Sequence, residues 1–412
     1  MEREASPNET WSRGGILQKK PNIVLITVDL MRPAFLDCYS QTGFLLPNIA
    51  TLARQGVLFE NAYAQTERTS PSHLCIFTSH YLSDCYAARL APKTLPEVLH
   101  ENGYETTSIP SSGLLSSTRP DPLFNFHRGF DRVYSVPSSG DTQRTFVKRD
   151  GSETLRLARL FLRQHRLGGS PWFLFLNFRD LHPPLPPDSS DAEHGPFYRP
   201  LVRVDGYIGE VMAELQALHL ADETAIVLMS SHGCDDERNA RSVAELREKT
   251  LRVALIMRFP AGPSGVRERH PVATIDVAPT LIKRCLPSVL MDSAGSADML
   301  HTSSRRIVFA QTERLEGHMA TDGRWKYVEY TRPYVECPEA LRSFTPPTRL
   351  IDLSKADPDE ADNQVTLHPE IAAYLRKSII DRFGPSAVNR DVRMEDAVEE
   401  STQHELKTLD YW

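Results

Sequence analysis

Ile23-Val24-Leu25-Ile26-Thr27-Val28 is a run of β-branched and aliphatic residues that ends abruptly in Asp29. Such a run has no hydrophobic-in, polar-out alternation, so it reads as a strand buried on both faces of a parallel sheet. The pattern returns in Trp172 to Phe178 and in Ala225 to Met229, each again giving way to polar residues. Helical periodicity separates these runs, in Asn48 to Gln55, Thr94 to Asn102, Glu153 to Leu167 and Tyr198 to Leu218. Strands alternating with helices predict an α/β fold with a large, mostly parallel sheet flanked by helices. In open sheets of this kind ligands bind beyond the carboxyl ends of the strands. Asp29 therefore becomes a ligand candidate, with a cap for the following segment as the alternative.

Composition narrows the partners. At 412 residues the chain is long enough for one large domain with a smaller companion. A net charge of -7 gives no global attraction to nucleic acid or to an anionic membrane surface, so anion binding has to be local. The six cysteines lack paired spacing, which argues against a structural zinc site or a disulfide framework and makes reduced thiols the expectation. No stretch is long and apolar enough to span a bilayer, and Met1 to Lys20 carries no apolar targeting core. A cytoplasmic enzyme with a small-molecule substrate, and with neither nucleic acid nor membrane as partner, is the expectation.

Thr69-Ser70-Pro71-Ser72-His73 stands where a polar loop turns into the apolar run Leu74 to Thr78. Pro71 suits a first helical position, with Thr69 or Ser70 as the cap before it. The backbone N–H groups of that turn would favour an anion beside the hydroxyl. An ordinary helix cap uses the same residues, and these five alone do not separate the two readings.

Their order in the chain carries a resemblance. Pro21 to Asp29, Pro47 to Ala53, Gly56 to Gln65, Thr69 to His73, Asp180-Leu181-His182-Pro183-Pro184, Ser230-Ser231-His232-Gly233 and Thr274 to Leu281 follow one another as in sulfatases and related phosphoester hydrolases. The chain thus resembles that branch of the alkaline phosphatase superfamily over residues 21–384. The resemblance implies a catalytic domain at 21–300 and a smaller C-terminal α+β subdomain at 301–384, between a polar leader (1–20) and an acidic, polar tail (385–412). Residues 109–150, rich in Ser, Pro, Gly and Arg, read as a long loop over the site.

The resemblance also assigns roles. Position 69 corresponds to the family nucleophile, a formylglycine made from Cys or Ser in true sulfatases; a threonine there implies an unmodified Thr nucleophile and no formylglycine. Asp29, His232, Ser231 and Thr69 itself correspond to the metal region, so a divalent cation (Ca, Mg, Mn or Zn) is implied. His182 would meet the ester, Lys326 or His318 the leaving group, and Arg68 and His73 would flank the nucleophile and face the anion, His73 among the catalytic residues; a solvated loop charge is the alternative for Arg68. Leu30 stands where calcium-dependent sulfatases carry a second Asp, and Ser231 stands where an Asp ligand is found. Asp235 and Asp236 are the nearest compensating carboxylates, with turn or cap roles as alternatives. The expected activity is hydrolysis or transfer on a phosphate, phosphonate or sulfate ester. Its alternative is a catalytically impaired relative that binds an anionic ligand or a protein partner.

Overall fold

The computed structural model describes residues 19–40, 44–88, 91–116, 122–136, 148–183, 185, 195–234, 246–295, 298–301, 306–331, 348–355, 357 and 359–388. Nearly all of the leader, most of the tail, much of the 109–150 stretch, and Asp235 and Asp236 lie outside the described residues.

The three apolar runs lie side by side at the centre of an eight-stranded sheet. In spatial order the strands are Val266–Glu268, Val57–Phe59, Leu255–Arg258, Thr224–Met229, Asn22–Val28, Trp172–Phe178, Glu105–Pro110 and Arg132–Val133. Leu255–Arg258 runs antiparallel to both of its neighbours, while the other pairings are parallel. Every residue of Asn22–Val28 is buried, as two-sided coverage demands. One face packs against the helices Pro47–Gln55, Gly151–Gln164 and Tyr198–Ala217, and the other against Thr69–Thr78 and Val277–Cys285.

Register decides what meets at the sheet's edge. Val28 pairs with Phe178, and Thr27 with both Asn177 and Met229. The residues following these three parallel strands, Asp29, Arg179 and Ser230 to His232, therefore emerge together. The Thr69–Thr78 helix is buried at all ten positions and delivers its first turn to the same edge. It starts earlier than its sequence suggests: Thr69 is the first helical residue, Pro71 the third, and Arg68 occupies the cap position without a side-chain capping bond. Pro71 is tolerated there because the first four N–H groups of a helix have no partner within it.

Val308–Gln311, Gly317–Thr321, Trp325–Tyr330 and Thr348–Asp352 form a separate four-stranded antiparallel sheet in chain order. The helix Pro369–Phe383 packs against it through Ala372, Leu375 and Ile379. The 109–150 stretch is more than a loop, since Gly113–Ser116 is helical and Arg132–Val133 adds a strand parallel to Glu105–Pro110.

Candidate active site

Asp29 is the hub of the strand ends. Its carboxylate is fully buried and accepts hydrogen bonds from Thr69 Oγ1 at 3.2 Å, Asn177 Nδ2 at 3.2 Å and Ser231 Oγ at 2.7 Å. Arg179 Nε and His182 Nε2 lie 3.9 and 3.8 Å from its Oδ2. Burial alone would raise the Asp29 pKa, but His73, His182, His232 and Arg179 around it outweigh burial and hold it below the usual carboxylate value. Asp29 is an anion held by the protein's own cations and hydroxyls.

The proton geometry around Thr69 follows from partner chemistry. His232 Nδ1 lies 2.8 Å from the Gly233 carbonyl, which only accepts, so Nδ1 carries the hydrogen. In the neutral ring Nε2 is then an acceptor, and it lies 3.2 Å from Thr69 Oγ1. Burial lowers the His232 pKa and favours that neutral ring. Gly233 permits the turn, because a Cβ there would stand 2.0 Å from the Lys249 carbonyl oxygen. Thr69 thus has two acceptors for its proton, His232 Nε2 and Asp29 Oδ2.

His73 is a brace rather than a substrate contact. Its Nδ1 lies 2.7 Å from the Thr69 carbonyl and its Nε2 3.0 Å from Thr27 Oγ1. The ring is fully buried and edge-on to Phe77 and Phe175, and burial lowers its pKa. Both nitrogens are engaged, so the expectation that His73 faces the anion does not hold.

Several buried polar atoms at this edge have no hydrogen-bond partner among the described residues: His182 Nε2, Arg179 Nε, Asn177 Oδ1 and Ser70 Oγ. His182 is held neutral by burial and by the nearby Arg179 charge, which together push its pKa well down. Its backbone is anchored where His182 N donates to Arg179 O and Lys148 Nζ donates to His182 O. Buried groups without partners are costly unless a ligand completes them.

Three other expectations move elsewhere. Arg68 is neither a solvated charge nor aimed at an unneutralised anion site, because its Nε lies 3.2 Å from the buried Glu313 carboxylate. Lys326, fully buried in the small sheet, donates to both Glu360 oxygens at 3.1 Å and lies 3.5 Å from Glu248 Oε2. His318 sits in the same sheet beside Gln311 and Phe383, with its pKa lowered by burial to about 4. Neither Lys326 nor His318 contacts the Asp29 cluster through any hydrogen bond or ion pair of these side chains.

Sequence reasoning brought Asp29, Thr69, His182, Ser231 and His232 together and missed Asn177 and Arg179. The signal was present: Asn177 is the polar residue in an otherwise apolar strand, and Arg179 follows at the end where ligands bind.

The profile of the family named Sulfatase matches residues 21–285, more than half of the chain. The chain belongs to the sulfatase family. Among its relatives, the N-acetylgalactosamine-6-O-sulfatase of Bacteroides thetaiotaomicron is 25% identical, over 87% of this chain and 92% of the relative. Human arylsulfatase A is 23% identical over 92% of each. Among solved structures, a protein of the Bacteroides thetaiotaomicron locus for glycosaminoglycan metabolism matches with a TM-score of 0.67 at 21% identity, over 88% of this chain and 99% of that one. The phosphonate monoester hydrolase of Agrobacterium radiobacter matches with a TM-score of 0.63 at 17% identity, over 88% and 95%. The fold, a large mostly parallel sheet with a smaller antiparallel one, is the family's.

Members of the sulfatase family generally bind a divalent metal, and the side chains here provide the test of fit. Among the described residues Asp29 is the one carboxylate of the cluster, and none of them form a group of three or more His, Cys, Asp or Glu arranged to hold a metal ion. Leu30, in place of a second carboxylate, has a left-handed backbone (φ 67°) and a side chain buried in the apolar layer. Ser231 spends its hydroxyl on Asp29 Oδ1. A hard cation is served by several carboxylates; here it would find one, already bonded by three donors and lying close to a guanidinium. The donor set does not fit a hard divalent ion.

Proposed function

We propose that this chain is a sulfatase-like hydrolase that cleaves an anionic ester through unmodified Thr69. The observation that carries the reading is the position of Thr69 Oγ1, 3.2 Å from His232 Nε2 and 3.2 Å from Asp29 Oδ2, at the first turn of a buried helix. Thr69 Oγ attacks the sulfur or phosphorus, and its proton passes to His232 Nε2. The bond to the ester oxygen breaks, and that oxygen leaves with the proton from His232. Water then attacks the same centre, gives a proton to His232, and frees Thr69, which recovers its proton as the inorganic anion departs. His182 Nε2, on the Asp29 side and without a hydrogen-bond partner among the described residues, is the group that meets a non-bridging oxygen.

Sulfate esters head the substrate list because of the family, and phosphate and phosphonate monoesters follow because direct displacement by a hydroxyl suits them. Turnover of a panel of aryl sulfates, phosphates and phosphonates, with mass spectrometry of the peptide containing position 69, tests the proposal. Turnover by a protein whose residue 69 is plain threonine supports it; an aldehyde at position 69 overturns the mechanism.

Leu30 and Ser231 favour a second reading, a relative that binds an oxyanion without cleaving it. Binding of phosphate or sulfate with no turnover of any panel member would select it.

A further inference from the structure

We infer that Arg179 supplies the positive charge of this site in place of a divalent metal, so that an oxyanion binds at Thr69 with no metal present. The inference rests on the reading of the cluster as an anionic-ester site. Asp29 and Arg179 form one negative and one positive group at the ends of adjacent parallel strands, fixed by the pairing of Val28 with Phe178. The Arg179 side chain is 4% exposed, and its Nε faces Asp29 from 3.9 Å without a hydrogen-bond partner among the described residues. A buried guanidinium with donors to spare is the arrangement that binds a tetrahedral oxyanion, because its planar fork offers paired N–H groups and keeps its charge at every accessible pH.

The surrounding side chains fit that assignment. Thr69, Asn177 and Ser231 all direct donors to Asp29, so the carboxylate oxygens are hydrogen-bonded within the protein without drawing on the Arg179 N–H groups. The side chain at position 30 is withdrawn into the apolar layer, and among the described residues no second acid hydrogen-bonds or ion-pairs within this cluster. Ser70 Oγ, buried in the helix's first turn, and His182 Nε2, 3.8 Å from Asp29, are two more polar atoms without a hydrogen-bond partner among the described residues. The backbone N–H groups of that turn favour an anion as well.

The test is calorimetric titration of the full chain with inorganic phosphate and with sulfate after exhaustive treatment with EDTA, alongside elemental analysis of the purified protein. Binding of an oxyanion in EDTA, changed less than twofold by added Ca, Mn or Zn, is the expected result. Arg179→Gln should weaken that binding at least tenfold, and Arg179→Lys should fall between, since the charge returns without the fork. Binding that appears only when metal is added overturns the inference, as does wild-type affinity in a folded Arg179→Gln protein or failure of both anions to bind under every condition. The wild-type titration in EDTA decides the matter even if the Arg179 variants do not fold. If oxyanion binds in EDTA through Arg179 while no ester is turned over, the catalytic proposal fails and this inference stands.

Discussion

Two clusters of buried polar side chains in this molecule look alike in composition and differ in how their charges are met. At the edge of the large sheet, Asp29, Thr69, His182, Arg179 and Asn177 share hydrogen bonds yet leave polar atoms on Arg179, His182 and Asn177 unmet. In the small sheet, Lys326 is enclosed between Glu360 and Glu248, Glu360 also accepts from the Glu248 backbone, and Tyr63 donates to Glu248. The second cluster ties residues 325–330 and 360 to residues 63 and 248. A buried ammonium matched by two carboxylates stabilises architecture even though Glu248 Oε2 has only the ion pair at 3.5 Å and no hydrogen bond among the described residues, whereas polar atoms left without a partner at the edge where ligands bind wait for a ligand. Residue type alone cannot tell them apart.

The strongest blow to this distinction would come from Thr69. Thr69→Ala should lower turnover at least about 10⁴-fold, as loss of a nucleophile does, while circular dichroism and thermal melting stay near wild type. Wild-type turnover in the alanine protein would reduce Thr69 to a helix residue and erase the contrast. Lys326→Met should do the reverse, destabilising the fold by about 3–5 kcal/mol in denaturant titration because two carboxylates lose their cation. Turnover per folded molecule should hardly change; a loss of turnover with normal stability would return Lys326 to the leaving group, as the resemblance implied.

Acid sharpens the comparison. His318 is almost fully buried with its pKa near 4, so it resists protonation in the fold but not in the unfolded chain. Its contribution is present above about pH 6.5 and is lost as pH falls through about 4, amounting to about 3 kcal/mol at the acid end. His318→Gln should flatten the loss of stability between pH 6.5 and 4 and leave turnover at neutral pH alone. Equal pH profiles for the two proteins would show that His318 does not titrate against the fold. His182→Ala carries the smallest expected effect, about 10²-fold in turnover with little change in melting temperature. A lower melting temperature with unchanged turnover would move His182 into the architectural class.

What was legible in the sequence follows from the same physics. Strands buried on both faces announce themselves as unbroken apolar runs, so Asn22–Val28, Trp172–Phe178 and Thr224–Met229 were found nearly to the residue, and with them the edge where Asp29 and His232 emerge. Pro71 misplaced the helix start, because proline is as acceptable at the third helical position as at the first. Arg179 was missed although it follows a strand at the end where ligands bind, since position alone does not say that its side chain would face Asp29. Lys326 misled for a related reason. All six residues of Trp325–Tyr330 are buried, which removes the alternation that would have shown which face each side chain takes. Arg132–Val133 is too short for any periodicity to declare it.

Around Thr69 the hydrogen bonds close into a loop. Its hydroxyl reaches Asp29, which holds Asn177, whose amide reaches Thr27, whose hydroxyl meets His73, which returns to the Thr69 carbonyl. Because each carbonyl and carboxylate in it only accepts, one arrangement of hydrogens closes the loop when the Thr69 hydroxyl is turned to Asp29, and turning that hydroxyl to His232 opens it at that bond alone. A side chain fastened through both its hydroxyl and its backbone has little rotational freedom left to surrender when a ligand arrives. Thr69 is therefore set before the encounter, and the reorganisation that a flexible nucleophile undergoes at each turnover has here already occurred during folding.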